Sequence, residues 1–152
     1  MTPDPYLARL FAMAYRQLIE GLHERLREEG WTDVRPAFGF VLLAAQAGPT
    51  TATELAELMG TTKQAASKLV ATMVETGYVA HKRSAGDGRE RPVELTARGR
   101  RLLTAVERIY DELESGWADV IGAAGVQRLK RDLARVLRAT SGGELPPVRP
   151  TW

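Results

Sequence analysis

The chain has 152 residues, of which 44% are hydrophobic and 26% charged, and its formal net charge is +2. These values are ordinary for one soluble globular domain, with or without arms. The sequence contains no cysteine, which excludes disulfide bonds, thiolate metal ligands and thiol-based redox sensing. We expect a cytoplasmic protein, because the N-terminus lacks a signal pattern and no apolar run approaches the ~20 residues of a membrane span.

The positive charge is concentrated in the middle of the chain. Residues 61–103 carry a net charge of +5, whereas residues 1–60 carry −3 and residues 104–152 carry 0. A locally basic segment on a near-neutral body is typical of phosphate binding, although a solvated charged surface would give the same pattern.

Helices are predicted throughout the first part of the chain. Residues 5–29 repeat apolar side chains at intervals of three and four. A second, largely buried helix is predicted to begin at Pro36 and to end at Gly48. A short third helix follows, in which Thr51 and Glu54 have the spacing of a capping box.

The fourth helix and the hairpin after it form the most informative segment. The helix is predicted between the N-cap Thr62 and Gly77, one glycine-containing turn after the third helix, and this arrangement is a helix-turn-helix. Residues 78–83 and 91–96 are predicted to be the strands of a hairpin, and Pro92 indicates an exposed edge.

Two further helices are predicted after the hairpin. Thr96 is expected to cap the first of them, and Gly122 and Gly125 are expected to break the helical pattern before the last one. Residues 141–152 are too rich in proline and glycine to pack, and we expect a flexible tail there.

The predicted order α-α-α-α-β-β-α-α is a mainly α, winged helix-turn-helix fold flanked by long helices. We assign residues 36–103 to a winged helix-turn-helix DNA-binding domain. Residues 1–35 and 104–140 are assigned to a helical dimerisation region, because their apolar stripes are wider than a domain of this size can cover. An intramolecular helical bundle is the alternative, although soluble oligomers are commonly two-fold dimers.

The leading turn of the fourth helix is the candidate major-groove element. Gln64 has the amide geometry to pair bidentately with adenine, and Lys63 and Lys68 suit guanine edges or phosphates. The Thr62 hydroxyl either caps its helix only or also contacts DNA. A solvated helix face is the alternative for the whole group.

The hairpin tip is the candidate minor-groove element. An arginine at a hairpin tip, as predicted for Arg89, has no packing role in a hydrophobic core. Narrow minor grooves attract arginine electrostatically. Asp87 either pairs with Arg89 or belongs to the turn itself, since aspartate beside glycine is common in turns. Four other basic residues are expected to contact phosphates at most: Lys82, Arg83, Arg91 and Arg98.

The segment resembles the MarR family of bacterial transcription regulators. The match to the wing signature consists of Asp87-x-Arg89, Val93, Leu95-Thr96 and Gly99. ELAELMG is similar to the helix that leads into the recognition turn, and TKQAASKLVATMVETGYVAHKR to the recognition helix and its exit into the wing. The specific motifs cover about residues 36–103. Gly88 departs from the pattern, because many members carry a second basic residue there.

The resemblance implies a homodimer whose recognition helices enter successive major grooves of a near-palindromic site. It implies that Arg89 enters the minor groove and that Asp87 orients it. It also implies regulation by a small phenolic or other lipophilic ligand bound between the dimer helices and the DNA-binding lobe, and we expect a repressor that such a ligand releases. The helix residues implied to face DNA are Thr62, Lys63, Gln64, Ser67 and Lys68.

Other chemistry has little support in the sequence. His23 and His81 lie far apart, so we expect no metal site, and with no identifiable nucleophile or phosphate loop we expect neither an enzyme nor a cofactor. A protein-interaction module on the same fold is the alternative function. Four aromatic residues could line a ligand pocket, with ordinary packing as the alternative: Tyr15, Trp31, Phe38 and Trp117.

Overall fold

The computed structural model describes residues 3–83 and 90–148. These residues form six helices and two strands in the predicted order. The elements are α1 (Leu7–Glu28), α2 (Phe38–Ala47), α3 (Ala52–Met59), α4 (Lys63–Glu75), β1 (Val79–His81), β2 (Val93–Leu95), α5 (Ala97–Ile121) and α6 (Ala123–Thr140).

Threonine side chains begin three of the helices. The Oγ1 atoms of Thr51, Thr62 and Thr96 accept hydrogen bonds from the N–H groups three residues later, at 3.1, 3.1 and 3.0 Å. These bonds satisfy amides that have no acceptor inside the helix, and they confirm the three predicted starts. The capping box of α3 is only half formed, because the Glu54 carboxylate accepts from the Thr50 hydroxyl at 3.3 Å, where a full box would have it accept from the Thr51 amide.

Three predicted boundaries were wrong. α2 begins at Phe38, because the residues from Pro36 onward first form tight turns with bonds between residues three apart, such as Gly39 N–H to the Pro36 carbonyl at 3.3 Å. Only Gly122 separates α5 from α6: its φ is +81°, which ends a helix, whereas Gly125 lies inside α6. Each strand has three residues, half the predicted length.

The hairpin is joined to the helix-turn-helix by a third extended segment. β1 and β2 pair antiparallel, with Val79 opposite Leu95. On the other side of β2, Thr50 and Val93 exchange backbone hydrogen bonds of 3.0 and 2.8 Å. β2 is therefore not an edge at this point, contrary to the expectation from Pro92, which lies at the end of the ladder where its missing N–H breaks no interior pair.

The core lies where the second half of α1, the helices α2 to α5 and the two strands meet. Its largest fully buried side chains include Leu26, Phe38, Leu55, Met73, Tyr78 and Leu102. Gly99 brings α5 against β1, because a Cβ atom on it would lie 2.1 Å from the Tyr78 carbonyl oxygen. The core thus fixes the orientation of α4 relative to the strands.

The outer helices keep apolar side chains at the surface. α6 packs on α5 through the buried Val126 and an ion pair of 2.9 Å between Lys130 and Glu114. None of the helices among the described residues is both long and apolar enough to cross a membrane. The exposed apolar residues of the outer helices are Leu7, Leu10, Phe11 and Met13 in α1, Val120 and Ile121 in α5, and Val136 and Leu137 in α6.

Residues 141–148, the described part of the predicted tail, contain turns but neither helix nor strand. All eight are exposed. Residues 149–152 lie outside the described residues.

Candidate nucleic-acid interface and apolar cavity

The leading half of α4 presents a polar strip to solvent. Ala66, Val70 and Met73 are buried against the rest of the domain, which fixes the opposite face outward. Successive turns of a helix place residues four apart beside one another, so the polar side chains of this half form one surface. The exposed residues of this strip are Lys63, Gln64, Ser67 and Lys68.

Thr62 lies at the start of this strip. It is exposed, and its Oγ1 accepts the Ala65 N–H at 3.1 Å, as the capping prediction requires. The structure therefore brings together all five helix residues that were predicted to face DNA.

Lys63 also faces a carboxylate from the returning arm of the hairpin. Its Nζ lies 3.6 Å from Oε1 of Glu90, and the same oxygen accepts the Thr53 hydroxyl at 2.6 Å and the Thr53 N–H at 3.1 Å. The hydrogen bond from the Thr53 hydroxyl, with smaller contributions from its N–H and from Lys63, lowers the pKa of Glu90. Sequence reasoning missed Glu90, because Thr53 lies 37 positions earlier and no periodicity links the two.

The predicted wing tip lies between the two described ranges of the chain. Asp87 and Arg89 lie outside the described residues, so their pairing and their minor-groove role remain predictions. Arg83 is exposed at the end of the described first arm, and the preceding Lys82 donates its N–H to the Pro92 carbonyl at 2.8 Å.

Several contacts hold the Arg98 side chain against the domain while it stays 42% exposed, and its phosphate contact remains a prediction. Its Nε donates to the Thr76 carbonyl at 3.2 Å, and its Nη2 donates to Asp33 at 3.2 Å and to the Tyr78 hydroxyl at 3.0 Å. Its guanidinium carbon lies 4.6 Å from the Tyr78 ring centroid and 5.4 Å from that of Trp31. These contacts join the α1–α2 connection to the start of β1 and of α5.

Tyr78 is the centre of that cluster. Its ring is fully buried, and its hydroxyl donates a hydrogen bond to the Asp33 carboxylate. Burial and this hydrogen bond raise the pKa of Tyr78 to about 12, so the phenol is neutral at physiological pH.

An apolar cavity of about 200 Å³ lies among α1, α2 and α5. Polar groups are few in its wall, which includes His23 and Glu107, and Val148 from the segment after α6 also contributes. Tyr15 is the one predicted pocket residue in the lining. Other wall residues are Ile19, Phe40, Leu43, Val106 and Tyr110.

The other three predicted pocket residues lie elsewhere. Trp31 and Phe38 pack against the Tyr78 ring, with centroid distances of 6.2 and 5.8 Å, and Phe38 is fully buried. Trp117 is half-buried on α5 and does not line the cavity. For Trp31 and Phe38 the alternative of ordinary packing therefore holds, because both pack against Tyr78 and neither lines the cavity.

Two titratable side chains of the cavity, His23 and Tyr110, favour their neutral forms. Burial lowers the pKa of the His23 imidazole, and the nearby charge of Arg27 lowers it further. Burial also raises the pKa of Tyr110, with a smaller contribution from Tyr15. Both shifts favour the uncharged forms of these two side chains at neutral pH. Among residues 3–83 and 90–148, no cluster of three or more His, Asp or Glu residues could hold a metal ion.

Comparison with known protein families finds a match for the central segment. Residues 39–90, from α2 to the returning arm of the hairpin, match the family model described as MarR family. The chain has no significant match among curated proteins.

Solved structures share the fold over most of the chain. The reduced form of MarR from E. coli has a TM-score of 0.75 and 23% identity, with 90% of this chain and 99% of that chain covered. A MarR family protein of Mycobacterium tuberculosis in complex with salicylic acid has a TM-score of 0.68 and 24% identity, with the same coverage of 90% and 99%. A mutant of S. aureus MepR bound to an oligodeoxyribonucleotide has a TM-score of 0.62 and 20% identity, again covering 90% and 99%. These likenesses show that the chain has the MarR winged-helix fold.

Proposed function

We propose, from the MarR-family domain at residues 39–90 and the MarR winged-helix fold around it, that this chain is a dimeric regulator that binds DNA sequence-specifically. The observation that carries the proposal is the outward polar strip of α4, whose buried face leaves it no other orientation. The net charge of +5 over residues 61–103 supplies the attraction to phosphate that such binding needs. A relative with the same fold was solved on an oligodeoxyribonucleotide.

The strip would read bases from the major groove. Gln64 can accept and donate at one adenine edge, and Lys68, one turn after it, can reach a guanine edge or a phosphate. Arg83 would contact phosphate beside the wing, where it contributes affinity without sequence information. Arg89 in the minor groove, oriented by Asp87, completes the proposal from the family resemblance.

A second copy of the chain would cover the exposed apolar side chains of the outer helices. Leu7 is 68% exposed and Val136 60% exposed, and groups of such residues at both ends of the chain are typical of a subunit interface. A two-fold dimer would place two α4 helices on one face of a duplex, so the expected operator is a near-palindrome.

The cavity is the proposed effector site. Its apolar wall and the phenol groups of Tyr15 and Tyr110 suit a small lipophilic or phenolic ligand, and a relative was solved with salicylic acid. The wall combines α2, which belongs to the DNA-binding domain, with α1 and α5. A ligand that changes the spacing of these helices would change the spacing of the two α4 helices, and we propose that it thereby releases a repressor from DNA.

The test is selection of bound duplexes from a random pool at fixed salt concentration. Wild-type protein should enrich an inverted repeat. Gln64→Ala should lose discrimination of ~1–3 kcal/mol at one base position in each half-site, because one bidentate contact is removed. Glu75→Ala, at the far end of α4, is the matched control and should keep the wild-type preference. Equal binding of all duplexes by wild-type protein would contradict the proposal and favour the protein-interaction alternative.

A further inference from the structure

We propose that Glu90 is a positioning residue, which anchors the returning arm of the hairpin to α3 and holds Lys63 away from DNA phosphates. The part of this inference that concerns phosphates rests on the proposed function. The anchoring part concerns the free protein alone.

One carboxylate oxygen of Glu90 makes all three contacts of this cluster. Oε1 of Glu90 accepts two hydrogen bonds from Thr53, at 2.6 and 3.1 Å, and lies 3.6 Å from the Lys63 ammonium. Thr53 is the second residue of α3 and Lys63 the first of α4. A single carboxylate therefore connects the hairpin arm to the start of both helices of the helix-turn-helix.

The Thr53 contacts are anchors because of where Thr53 lies. The first N–H groups of a helix have no acceptor within it, so the Thr53 amide needs a partner from outside α3. Glu90 supplies that partner as an ionised acceptor, and bonds to charged groups are about twice as strong as neutral ones. The arm that leads from the wing into β2 is thus fixed to a rigid helix.

The contact between Glu90 and Lys63 is expected to weaken general DNA binding. A lysine that neutralises a phosphate releases counterions, and that release strengthens binding to any sequence. While Glu90 lies beside Lys63, the lysine contributes less of this counterion release to binding. Binding then depends more on the remaining contacts, including the base contact proposed for Gln64, so the ion pair favours specificity over general affinity for duplex DNA.

The variant Glu90→Gln separates the two roles. Its amide oxygen can still accept from Thr53, but it no longer neutralises Lys63. Binding to a non-cognate duplex should become tighter, and the slope of log K against log salt should steepen by up to about 0.9 for each freed lysine. The double variant Lys63→Ala/Glu90→Gln should return to the slope of Lys63→Ala alone.

Glu94→Gln provides the matched control. It removes an equal charge from an exposed position on β2, four residues further along the chain. An increase in slope of the same size in this control would mean that net charge alone is responsible. An equal increase in the control would overturn the claim about Lys63. So would an unchanged slope in Glu90→Gln, or an increase in slope that persists in the double variant, which lacks Lys63.

Hydrogen exchange in the free protein tests the anchor without DNA. Glu90→Ala should raise the exchange rate of the Thr53 amide by about 10-fold, because its acceptor is lost, whereas Glu90→Gln should keep most of the protection. Unchanged exchange in Glu90→Ala would overturn the anchor. If the anchor holds but wild-type protein binds no duplex at all, the proposed function is wrong and the claim about Lys63 falls with it.

Discussion

Tyr78 connects three parts of the chain through one side chain. Its hydroxyl donates to Asp33 and accepts from Arg98, while its ring packs against Phe38 and Trp31. Each partner lies at least 20 positions away in sequence, so the residue fixes the tertiary arrangement at the base of the wing. The hydroxyl and the ring make separable contributions to this arrangement.

Replacing Tyr78 by phenylalanine should expose the contribution of the hydroxyl. Near pH 7 we expect the free energy of unfolding to fall by ~1–2 kcal/mol, because the Asp33 carboxylate and the Arg98 guanidinium each lose a partner. Urea denaturation measures this change, and Tyr15→Phe, at the cavity wall, is the control that should change stability less.

The same variant predicts a pH dependence. Folding raises the pKa of Tyr78 from 10.0 to about 12, so the fold favours the neutral phenol. The resulting stabilisation is complete below pH 10 and is lost as pH rises from 10 to 12. Wild-type protein should therefore lose stability faster than Tyr78→Phe across this interval, and parallel stability curves would contradict the shift.

At the scale of elements, the contact between α5 and β1 depends on a missing side chain. A Cβ atom at Gly99 would lie 2.1 Å from the Tyr78 carbonyl oxygen and 3.2 Å from Cδ2 of Leu95. The first of these neighbours is backbone, which cannot move without displacing the strand. The helix therefore approaches the wing only because position 99 is glycine.

Gly99→Ala should separate α5 from β1 and lower the free energy of unfolding by ~1–3 kcal/mol, the usual cost of overpacking. Gly116→Ala is the matched control in the same helix, because a Cβ atom there meets nothing within 4 Å. That change should be neutral or stabilising by up to ~1 kcal/mol, since alanine is the better helix former. Equal free energies of unfolding for the two variants in urea denaturation would contradict this prediction. They would show that the chain accommodates a Cβ atom at position 99 without loss of stability.

Local signals made most elements predictable. Apolar patterns together with cap and breaker residues located the six helices, and the hydroxyls of Thr51, Thr62 and Thr96 cap three of them as expected. A cap acts within one helical turn, so its partners are visible in the sequence. The direction of the α4 polar strip followed in the same way, from the buried positions of its own helix.

Contacts between distant segments were not predictable. The Thr50–Val93 bridge, the acceptor role of Glu90 and the packing of Arg98 each join residues 18 or more positions apart. Arg98 shows the difficulty most clearly: in sequence it is one of several arginines after the wing, and only the fold places Asp33 and Tyr78 beside it.

At the scale of the whole molecule, α6 has exposed apolar side chains, with Val136 60% and Leu137 43% exposed. Val136→Glu should shift the proposed dimer towards monomer, because a charge would be buried in the interface. Sedimentation velocity measures the shift across a concentration series. Gln127→Glu adds the same charge at another exposed position of α6 and should leave the dimer intact if it lies outside the interface. A monomeric wild-type protein would contradict the dimer and favour the alternative of a self-contained bundle.

The wall position of Val148 gives this molecule a convenient place for a spectroscopic reporter. The sequence has no thiol, so Val148→Cys would carry the single site for a thiol-reactive dye. The dye would sit at the border of the 200 Å³ space between α1, α2 and α5 and would sense any compound that fills it. Dye emission would be titrated with the compound in the presence and in the absence of a duplex. A difference between the two titrations would show that ligand binding in the cavity and DNA binding are thermodynamically linked.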